Sequence, residues 1–504
     1  MATDAVEPLE TMEGMIKVAE ELEKLIPEVD EAFHIETHGI DIISPQERHG
    51  SPRQLFWVWI SATFTISNVI IGQLFPTLGL NLWDSLAVAV ICSISYVAVG
   101  LSSIQGPVAG TATLTISRAS FGVRGNVIPA LLSWVVLVGW ESVTVVLTVT
   151  SLLLVAQLLH LPHTGTVVTL GAMGIALILT FSVPILGHAT IMKMQRILAY
   201  AMGVFVLVMI PLILPKVNWT FAPSSSHLAA HGVLATFVLA CSIGIMGSSL
   251  SWPNYASDYS RYFPADTSPK AIIKYTTFGA GIGSFIFMSL GILLGSFVNP
   301  TLFSANPMLG TMSVLPVWFA FPFLFLVVVG QIANNYMNSY SSSMSFLAMG
   351  VHLPRYWSVV IDAVISSLIA LYALFLAPGF LSFFENFLSL SILFLGPWTG
   401  IFITHYFLFR GRYDSLSLVT TTAKNRYWYS KGTNPAGFIA LISGSFVAFW
   451  TVNSALWVSP FSTHFLGSMD LSAFVGPIVA SAIYYILMRR SAAGQPAISQ
   501  SNIL

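Results

Sequence analysis

The sequence predicts an all-α, polytopic membrane protein with twelve transmembrane helices. Two observations carry this prediction: charge is scarce, and long apolar segments recur along the whole chain. Of the 504 residues, 55% are hydrophobic and 8% are charged, and the mean hydropathy is +0.79. Soluble domains carry about 25% charged residues, so we expect the lipid bilayer to cover much of this surface. The net charge of −1 offers no basic surface for nucleic acid.

Twelve segments are apolar over the roughly 20 residues that a helix needs to cross the hydrocarbon core. Numbered as spans 1 to 12, they are 55–78, 84–106, 127–158, 166–186, 195–215, 232–252, 273–296, 317–346, 357–377, 381–407, 436–456 and 466–488. Spans 3 and 8 are long enough to tilt strongly or to extend past the bilayer. Spans 1 and 6 are interrupted by small and polar residues.

The lysine and arginine residues indicate the orientation. Of these 20 residues, only Lys216 falls on the side opposite the two termini when twelve spans are counted. Cytoplasmic loops carry the excess of positive charge, so we expect a plasma-membrane protein with both termini in the cytoplasm. Residues 1–50 hold 13 of the 21 acidic residues and are predicted to be a cytosolic tail, with a short amphipathic helix at 9–27. The transmembrane domain then covers 51–490, and 491–504 is a second cytosolic tail.

Two polar clusters predict breaks in spans 1 and 6. Span 1 carries five hydroxyl or amide residues between Ser61 and Asn68, including Thr65. Span 6 contains Gly247-Ser248-Ser249-Leu250-Ser251-Trp252-Pro253, a poor helix former that ends in a residue without a backbone N–H. We expect both spans to be discontinuous helices whose unwound backbone lines a site. For span 1 the alternative is an ordinary helix whose hydroxyls bond to preceding carbonyls.

Span 3 carries a third cluster. Trp140 and Thr144 are four residues apart and share a helix face, whereas Glu141 points about 100° away from Trp140. Glu141 is the one acidic side chain expected in the middle of a span, so it must be protonated, paired or facing water. The alternative is a structural hydrogen bond between helices. Asp84, Asp362 and Glu385 fall near span ends.

Span 8 carries a fourth cluster, made of amides. The four side chains have the spacing of one helix face: Gln331, Asn334, Asn335 and Asn338. An amide offers both a donor and an acceptor, which suits the edge of a heterocyclic base. The alternative is polar contact between helices.

The positions of the four clusters favour an inverted repeat. Spans 1 and 6 correspond, as do spans 3 and 8, if the core is two halves of five spans. Repeat one would cover about 55–215, repeat two about 232–407, and two extra helices about 436–488. This arrangement is typical of a secondary transporter with its substrate site near the bilayer midplane.

The sequence resembles the nucleobase:cation symporter-1 family, in its cytosine/purine permease branch, over roughly residues 34–490. The ordered segments that carry the resemblance are Ile35-Glu36-Thr37-His38-Gly39-Ile40, Glu47-Arg48, Leu55-Phe56-Trp57-Val58-Trp59, Gly106-Pro107, Ser117-Arg118-Ala119-Ser120-Phe121-Gly122, Gly139-Trp140, Tyr255-Ala256-Ser257-Asp258-Tyr259, Ala333-Asn334-Asn335 and Asn338-Ser339-Tyr340-Ser341. The resemblance implies a LeuT-type fold of five plus five helices with two further helices.

The family also implies a substrate stacked between aromatic groups of spans 3 and 6 and bonded by an amide of span 8. Trp140 resembles the stacking residue, and Thr144 stands where relatives often have an amide. Trp252 or Ser249 fills the span 6 position, and Asn338 or Asn335 resembles the span 8 amide. The candidate substrate-binding residues are Trp140, Thr144, Ser249, Ser251, Trp252, Asn335 and Asn338.

Sodium-coupled relatives place hydroxyl ligands from spans 1 and 8 around the ion. Here the matching stretch of span 8 is Ala333-Asn334-Asn335, which resembles the proton-coupled branch more closely. The resemblance therefore favours H⁺ as the coupling cation, with Na⁺ as the alternative. The candidate ion-coupling residues are Ser61, Thr65, Glu141 and Asn334.

The expected function is import of a nucleobase, cytosine or a purine, together with a cation, by a monomer without cofactor or metal. The same fold could instead carry uracil, allantoin, thiamine or hydroxymethylpyrimidine. Two other classes are an intramembrane enzyme and a channel or receptor. The sequence contains no HExxH or GxSxG motif, so we expect no enzyme. It also shows no visible filter loop, so we do not expect a channel.

Overall fold

A computed structural model of the protein describes residues 31–493 except 37, 223–231, 378, 424 and 455, and it describes their side chains except those of 380–382. The amphipathic helix expected at 9–27 and the segment 494–504 lie outside the described residues. Regular structure in the described part is helical, apart from two isolated bridges that pair Ser430 with Thr433 and Asn453 with Val458. This confirms the all-α prediction.

All twelve predicted spans contain a helix in the described part of the chain. In order they are Arg53–Thr63 with Ile66–Thr77, Leu82–Ser95 with Val97–Ser103 and Gln105–Ala109, Val127–Leu158, Thr166–Ser182, His188–Ile213, Gly232–Gly247, Pro269–Gly295, Val317–Ala348, Arg355–Phe375, Phe380–Leu408, Pro435–Thr451 and Ser472–Ala493. By length and composition, eight helices there can cross a membrane, and the bent pair of span 1 makes a ninth. Spans 4, 6 and 11 are shorter apolar helices.

Span 1 is broken between its two helices, which meet at an angle of 57°. Thr65 is extended, with φ −123° and ψ 150°, so the helical hydrogen bonds stop there. Two freed backbone carbonyls accept side-chain amides instead: Thr63 accepts from Asn68 at 2.7 Å and Ala62 accepts from Asn334 of span 8 at 2.9 Å. The predicted break is confirmed, and its buried carbonyls are satisfied.

Span 6 is broken as well. Its first helix ends at Gly247, and a 3₁₀ helix begins at Pro253 and runs to Tyr259. Within the break, Leu250 donates its backbone N–H to Ile245 at 2.9 Å, and Ser251 donates its hydroxyl to the carbonyl of Ser248 at 2.9 Å. The poor helix formers between Gly247 and Pro253 therefore place unwound backbone opposite the break of span 1, as the sequence predicted.

Small residues allow span 7 to approach both halves of span 1. A Cβ atom on Gly279 would lie 2.6 Å from the carbonyl oxygen of Phe56 in the first half, and one on Gly291 would lie 2.0 Å from that of Val69 in the second half. Membrane helices use small residues in this way because close backbone contact gains packing that lipid cannot supply. Span 3 packs along span 8, and the hydroxyls of Ser133 and Ser345 meet at 3.3 Å. Spans 3 and 8 thus face the two broken helices.

Candidate functional site

A small cavity lies at the two breaks, between spans 1, 3, 6 and 8. Eleven residues line it: Thr65, Ser67, Asn68, Trp140, Thr144, Gly247, Ser251, Trp252, Tyr255, Asn334 and Asn338. All four polar clusters found in the sequence contribute to this one cavity.

Aromatic side chains form part of the wall. Trp140 packs edge-on against Phe387 at 5.5 Å between ring centroids, and Trp252 packs edge-on against Trp59 at 5.4 Å. Both cavity tryptophans are buried, with 8% and 7% of their surface exposed. T-shaped contacts are a favoured arrangement of aromatic rings, so these neighbours hold each indole in place at the cavity wall. The Nε1 atom of Trp140 is buried and has no hydrogen-bond partner among the described residues.

Amide and hydroxyl groups form the polar part of the wall. Asn338 donates from its side chain to Asn334 Oδ1 at 3.2 Å, and its own Oδ1 accepts from the Tyr255 hydroxyl at 3.4 Å. Thr144 donates its hydroxyl to the Trp140 carbonyl at 2.6 Å, so the oxygen keeps its acceptor capacity. The cavity therefore combines aromatic surface with donors and acceptors, which is the composition that a planar heterocycle requires.

Four of the predicted site residues do not line the cavity. Ser249 turns to span 2, where its hydroxyl bonds Ser95, and it also donates to Ile245 at 3.3 Å. Asn335 is fully buried and does not line the cavity, so of the four amides of span 8 only Asn334 and Asn338 reach it. Ser61 precedes the break, and Glu141 accepts from Ser366 of span 9 at 2.8 Å.

Four residues of the cavity were not chosen from the sequence: Ser67, Asn68, Gly247 and Tyr255. Ser67 and Asn68 belong to the polar cluster of span 1, so position in that cluster was the available signal. Tyr255 belongs to one of the segments that carry the family resemblance. Its direction depends on the 3₁₀ helix after the break, where Tyr255 itself has non-helical angles of φ −141° and ψ 15°.

A family model for permeases for cytosine/purines, uracil, thiamine and allantoin matches residues 42–492. The chain belongs to this family. It is therefore a permease, a multi-pass membrane transporter, and the predicted family is confirmed.

Relatives and solved structures agree with this assignment. The permease is 28% identical over 470 residues to the Bacillus subtilis protein named "Putative purine-cytosine permease YxlA", covering 90% of this chain and 96% of that protein. It is 27% identical over 352 residues to the vitamin B6 transporter TPN1 of Saccharomyces cerevisiae, covering 66% of this chain and 59% of that protein. Mhp1, a nucleobase-cation-symport-1 family transporter solved in a closed conformation, superposes with a TM-score of 0.70 at 19% identity, covering 92% and 99% of the two chains. The shared fold confirms the predicted LeuT-type architecture.

The permease also contains a buried polar network that the sequence did not reveal. Oε1 of Glu36 accepts from Arg261 Nη2 at 2.9 Å and from the hydroxyls of Tyr262 and Tyr340 at 2.6 and 3.0 Å. Its Oε2 accepts from the backbone N–H of His188 at 2.8 Å. We call these residues the Glu36 network. It joins the segment before span 1 to the start of span 5, the segment after span 6 and span 8.

Electrostatics explain why Glu36 is charged in this network. Burial acts to raise the pKa of Glu36, but the positive charges of Arg261 and Arg355, with His188, outweigh burial and lower the pKa below its ordinary value. Arg261 also donates to the Gly39 carbonyl at 2.6 Å. A buried ion pair is retained when hydrogen bonds satisfy both partners, and this pair meets that condition.

Proposed function

We propose that this permease is a secondary active transporter that imports a nucleobase, cytosine or a purine, together with a cation, and that H⁺ is the cation. The observation that supports the substrate class is the single cavity in which Trp140 and Trp252 meet the amides of Asn334 and Asn338. Stacking of a base on an aromatic ring contributes about 1–3 kcal/mol. An amide adds a donor and an acceptor for the edge of the base.

The substrate would lie between the breaks of spans 1 and 6. Unwound backbone and the first turn of the second helix of span 1, next to Thr65, supply further polar groups to a ligand. We propose Trp140, Trp252, Thr144, Ser251 and Asn338 as substrate-binding residues. Ser249 and Asn335, which lie off the cavity, are not part of this proposal.

The transport cycle would be alternating access. Two repeats of five spans, at about 55–215 and 232–407, would move against each other around the cavity, with extra helices at 436–488. The cation would favour the loaded outward-facing state, since a ligand shifts an equilibrium only by binding one state better. We further propose a plasma-membrane monomer with both termini in the cytoplasm.

A second candidate substrate class is another planar heterocycle, including a pyridine of the vitamin B6 type. The relative named for vitamin B6 transport supports it, as does Thr144, which carries a hydroxyl where an amide is common among relatives. A hydroxyl reads the edge of a base less strictly than an amide because it lacks the paired donor and acceptor.

The test is uptake by cells that lack their own base permeases. Labelled cytosine, adenine, hypoxanthine, uracil and pyridoxine are supplied with and without Na⁺ and with a protonophore. We expect saturable uptake of cytosine or a purine that the protonophore abolishes and that Na⁺ does not affect. Uptake of pyridoxine alone would favour the second candidate. Uptake of none of these compounds would contradict the proposal.

A further inference from the structure

Two buried acidic side chains lie together between spans 3, 8 and 9, away from the cavity. Glu141 and Asp362 are both 0% exposed. Ser366, one turn after Asp362 on span 9, bonds Glu141, and Trp134 of span 3 bonds Asp362, so both carboxyl groups lie at the contact of spans 3 and 9. The sequence had placed Asp362 near a span end. In the structure the helix of span 9 begins at Arg355, so Asp362 lies two turns inside it and faces the span 3 residue Trp134.

Neutral donors contact one oxygen of each carboxyl group. Ser366 donates to Glu141 Oε2 at 2.8 Å, and the indole of Trp134 donates to Asp362 Oδ1 at 2.7 Å. The remaining oxygens, Glu141 Oε1 and Asp362 Oδ2, are buried and have no hydrogen-bond partner among the described residues. One neutral donor each does not compensate a buried negative charge.

No basic side chain in the described part of the chain forms an ion pair with either carboxyl group. Span 4 carries no ionisable residue, and the one acidic residue of span 10 is Glu385. The basic residue of span 9, Arg355, donates to the carbonyls of Pro184 and Ile185 instead. The ionisable side chains of span 8 are Tyr336, which is half-buried, and Tyr340, which belongs to the Glu36 network.

Span 8 carries a row of buried polar side chains, unpartnered among the described residues, that ends beside this pair. Asn335, Ser339 and Ser342 are fully buried and have side-chain atoms without hydrogen-bond partners in the part of the chain that the structure describes. Their spacing of four and three residues places them on one helix face. Ser342, at one end of this face, lies beside both Glu141 and Asp362. This face adjoins that of Asn334 and Asn338, which line the cavity, because Asn338 and Ser342 are one turn apart.

We propose that Glu141 and Asp362 form a carboxyl pair that binds the coupling proton, with Ser342 as a positioning residue between them. Two carboxylates without a counter-charge in a medium of low dielectric constant cannot both be ionised, so the pair keeps at least one proton. In the loading step, the remaining carboxylate takes up a second proton from outside and becomes a carboxylic acid. On release inside, one carboxylic acid returns its proton to water, and no other group is consumed.

The position of the pair gives a route to the substrate site, and this part of the inference rests on the proposed function. Glu141 is adjacent to Trp140 on span 3, and Ser342 is one turn from Asn338 on span 8. Protonation removes the net charge between spans 3, 8 and 9 and so favours closer packing of these helices. The two spans that carry the stacking ring and the amide would then hold the substrate only when the pair is loaded.

The direct test is infrared difference spectroscopy of the purified full-length permease during a pH change, with no substrate present. We expect a carbonyl-stretch band of a protonated carboxylic acid that is lost in both Glu141→Gln and Asp362→Asn, and that persists in Glu385→Gln, a matched acidic residue of span 10. A wild-type spectrum without that band, or the same band in both variants, would overturn the inference. Because no substrate is involved, this result is independent of the proposed function.

Transport separates the two proposals further. If wild-type cells accumulate a base and the Asp362→Asn variant only equilibrates it, with protonophore sensitivity lost and Glu385→Gln unchanged, the pair is supported. Proton-driven accumulation that survives in both Glu141→Gln and Asp362→Asn, or accumulation driven by Na⁺ alone in the wild type, contradicts the pair. Absence of base transport by the wild type would reject the proposed function, while the infrared result still decides whether the pair binds a proton.

Discussion

The side-chain amide of Asn334 donates to the backbone carbonyl of Ala62 at 2.9 Å and so ties span 8 to the break of span 1. Replacing Asn334 with alanine would leave this buried carbonyl without a donor, which costs about 1–3 kcal/mol. We expect a lower unfolding temperature for Asn334→Ala in detergent. The control is Thr148→Val, which removes a hydroxyl that bonds within its own helix and should cost less. Equal stability of Asn334→Ala and wild type would contradict the role of this bond.

Asn338 and Ser249 were both candidates from the sequence, and the structure separates them. Asn338 lines the cavity, whereas Ser249 bonds Ser95 of span 2. Loss of one hydrogen bond to a bound base costs about 1 to 1.5 kcal/mol. This corresponds to a decrease in affinity of about fivefold to tenfold. We therefore expect Asn338→Ala to weaken base binding by about fivefold to tenfold and Ser249→Ala to leave it unchanged, as measured by competition for uptake. If Ser249→Ala weakened binding and Asn338→Ala did not, the site would lie on the side of span 6 that faces span 2.

The twelve spans and the two breaks could be predicted because they depend on local composition. Apolar length defines a span, and a run such as Gly247 to Pro253 cannot continue a helix. The direction of each side chain could not be predicted in the same way. A break changes the direction in which every later side chain points from the helix axis. Sequence alone therefore could not separate Trp252 from Ser249 as the residue of span 6 that faces the site.

Contacts between distant segments could not be predicted either. Glu36 and Arg261 are 225 residues apart in the chain, and no periodicity connects them. Asp362 was expected near a span end because its apolar segment gave no information on where the helix begins. Its burial beside Glu141 depends on how span 9 rotates against span 3, which is a property of tertiary packing.

Close packing of spans 1 and 7 provides a test of the fold itself. A side chain at Gly291 would meet the backbone oxygen of Val69 at 2.0 Å, so the helices would have to separate. Overpacking of this kind costs about 1–3 kcal/mol or more. We expect Gly291→Ala to reduce the unfolding temperature and the yield of folded protein. Gly174→Ala on span 4 is the matched control because a Cβ there meets nothing within 4 Å, and it should be neutral or slightly stabilising.

The Glu36 network predicts a pH dependence of stability. The folded-state pKa of Glu36 lies below its ordinary value because Arg261, Arg355 and His188 outweigh burial. Stabilisation from a lowered carboxyl pKa is present above the unfolded-state pKa, about 4.3, and is lost as the pH falls through the folded-state pKa. Removing one partner of a buried ion pair costs about 3–5 kcal/mol.

The measurement compares unfolding temperatures of wild type and Glu36→Gln over a range of pH. We expect wild type to be more stable at neutral pH, by an amount that stays constant down to about pH 5 and narrows below about pH 4. A stability difference that grows as the pH falls would have the wrong sign for this network. Lys193→Gln is a control at the same end of the bundle, since Lys193 is outside the network and its ammonium lies over the Phe33 ring.

Stacking of a base on Trp140 is most directly tested by equilibrium binding of a labelled base, the one selected by uptake, to the purified permease. We expect Trp140→Ala to weaken binding by about 5-fold to 150-fold, equivalent to about 1–3 kcal/mol, and Trp140→Phe to weaken it less. Trp318→Ala is the control, because that indole is 64% exposed at the start of span 8, and it should bind as wild type does. Unchanged affinity in Trp140→Ala would show that the base does not bind in this cavity.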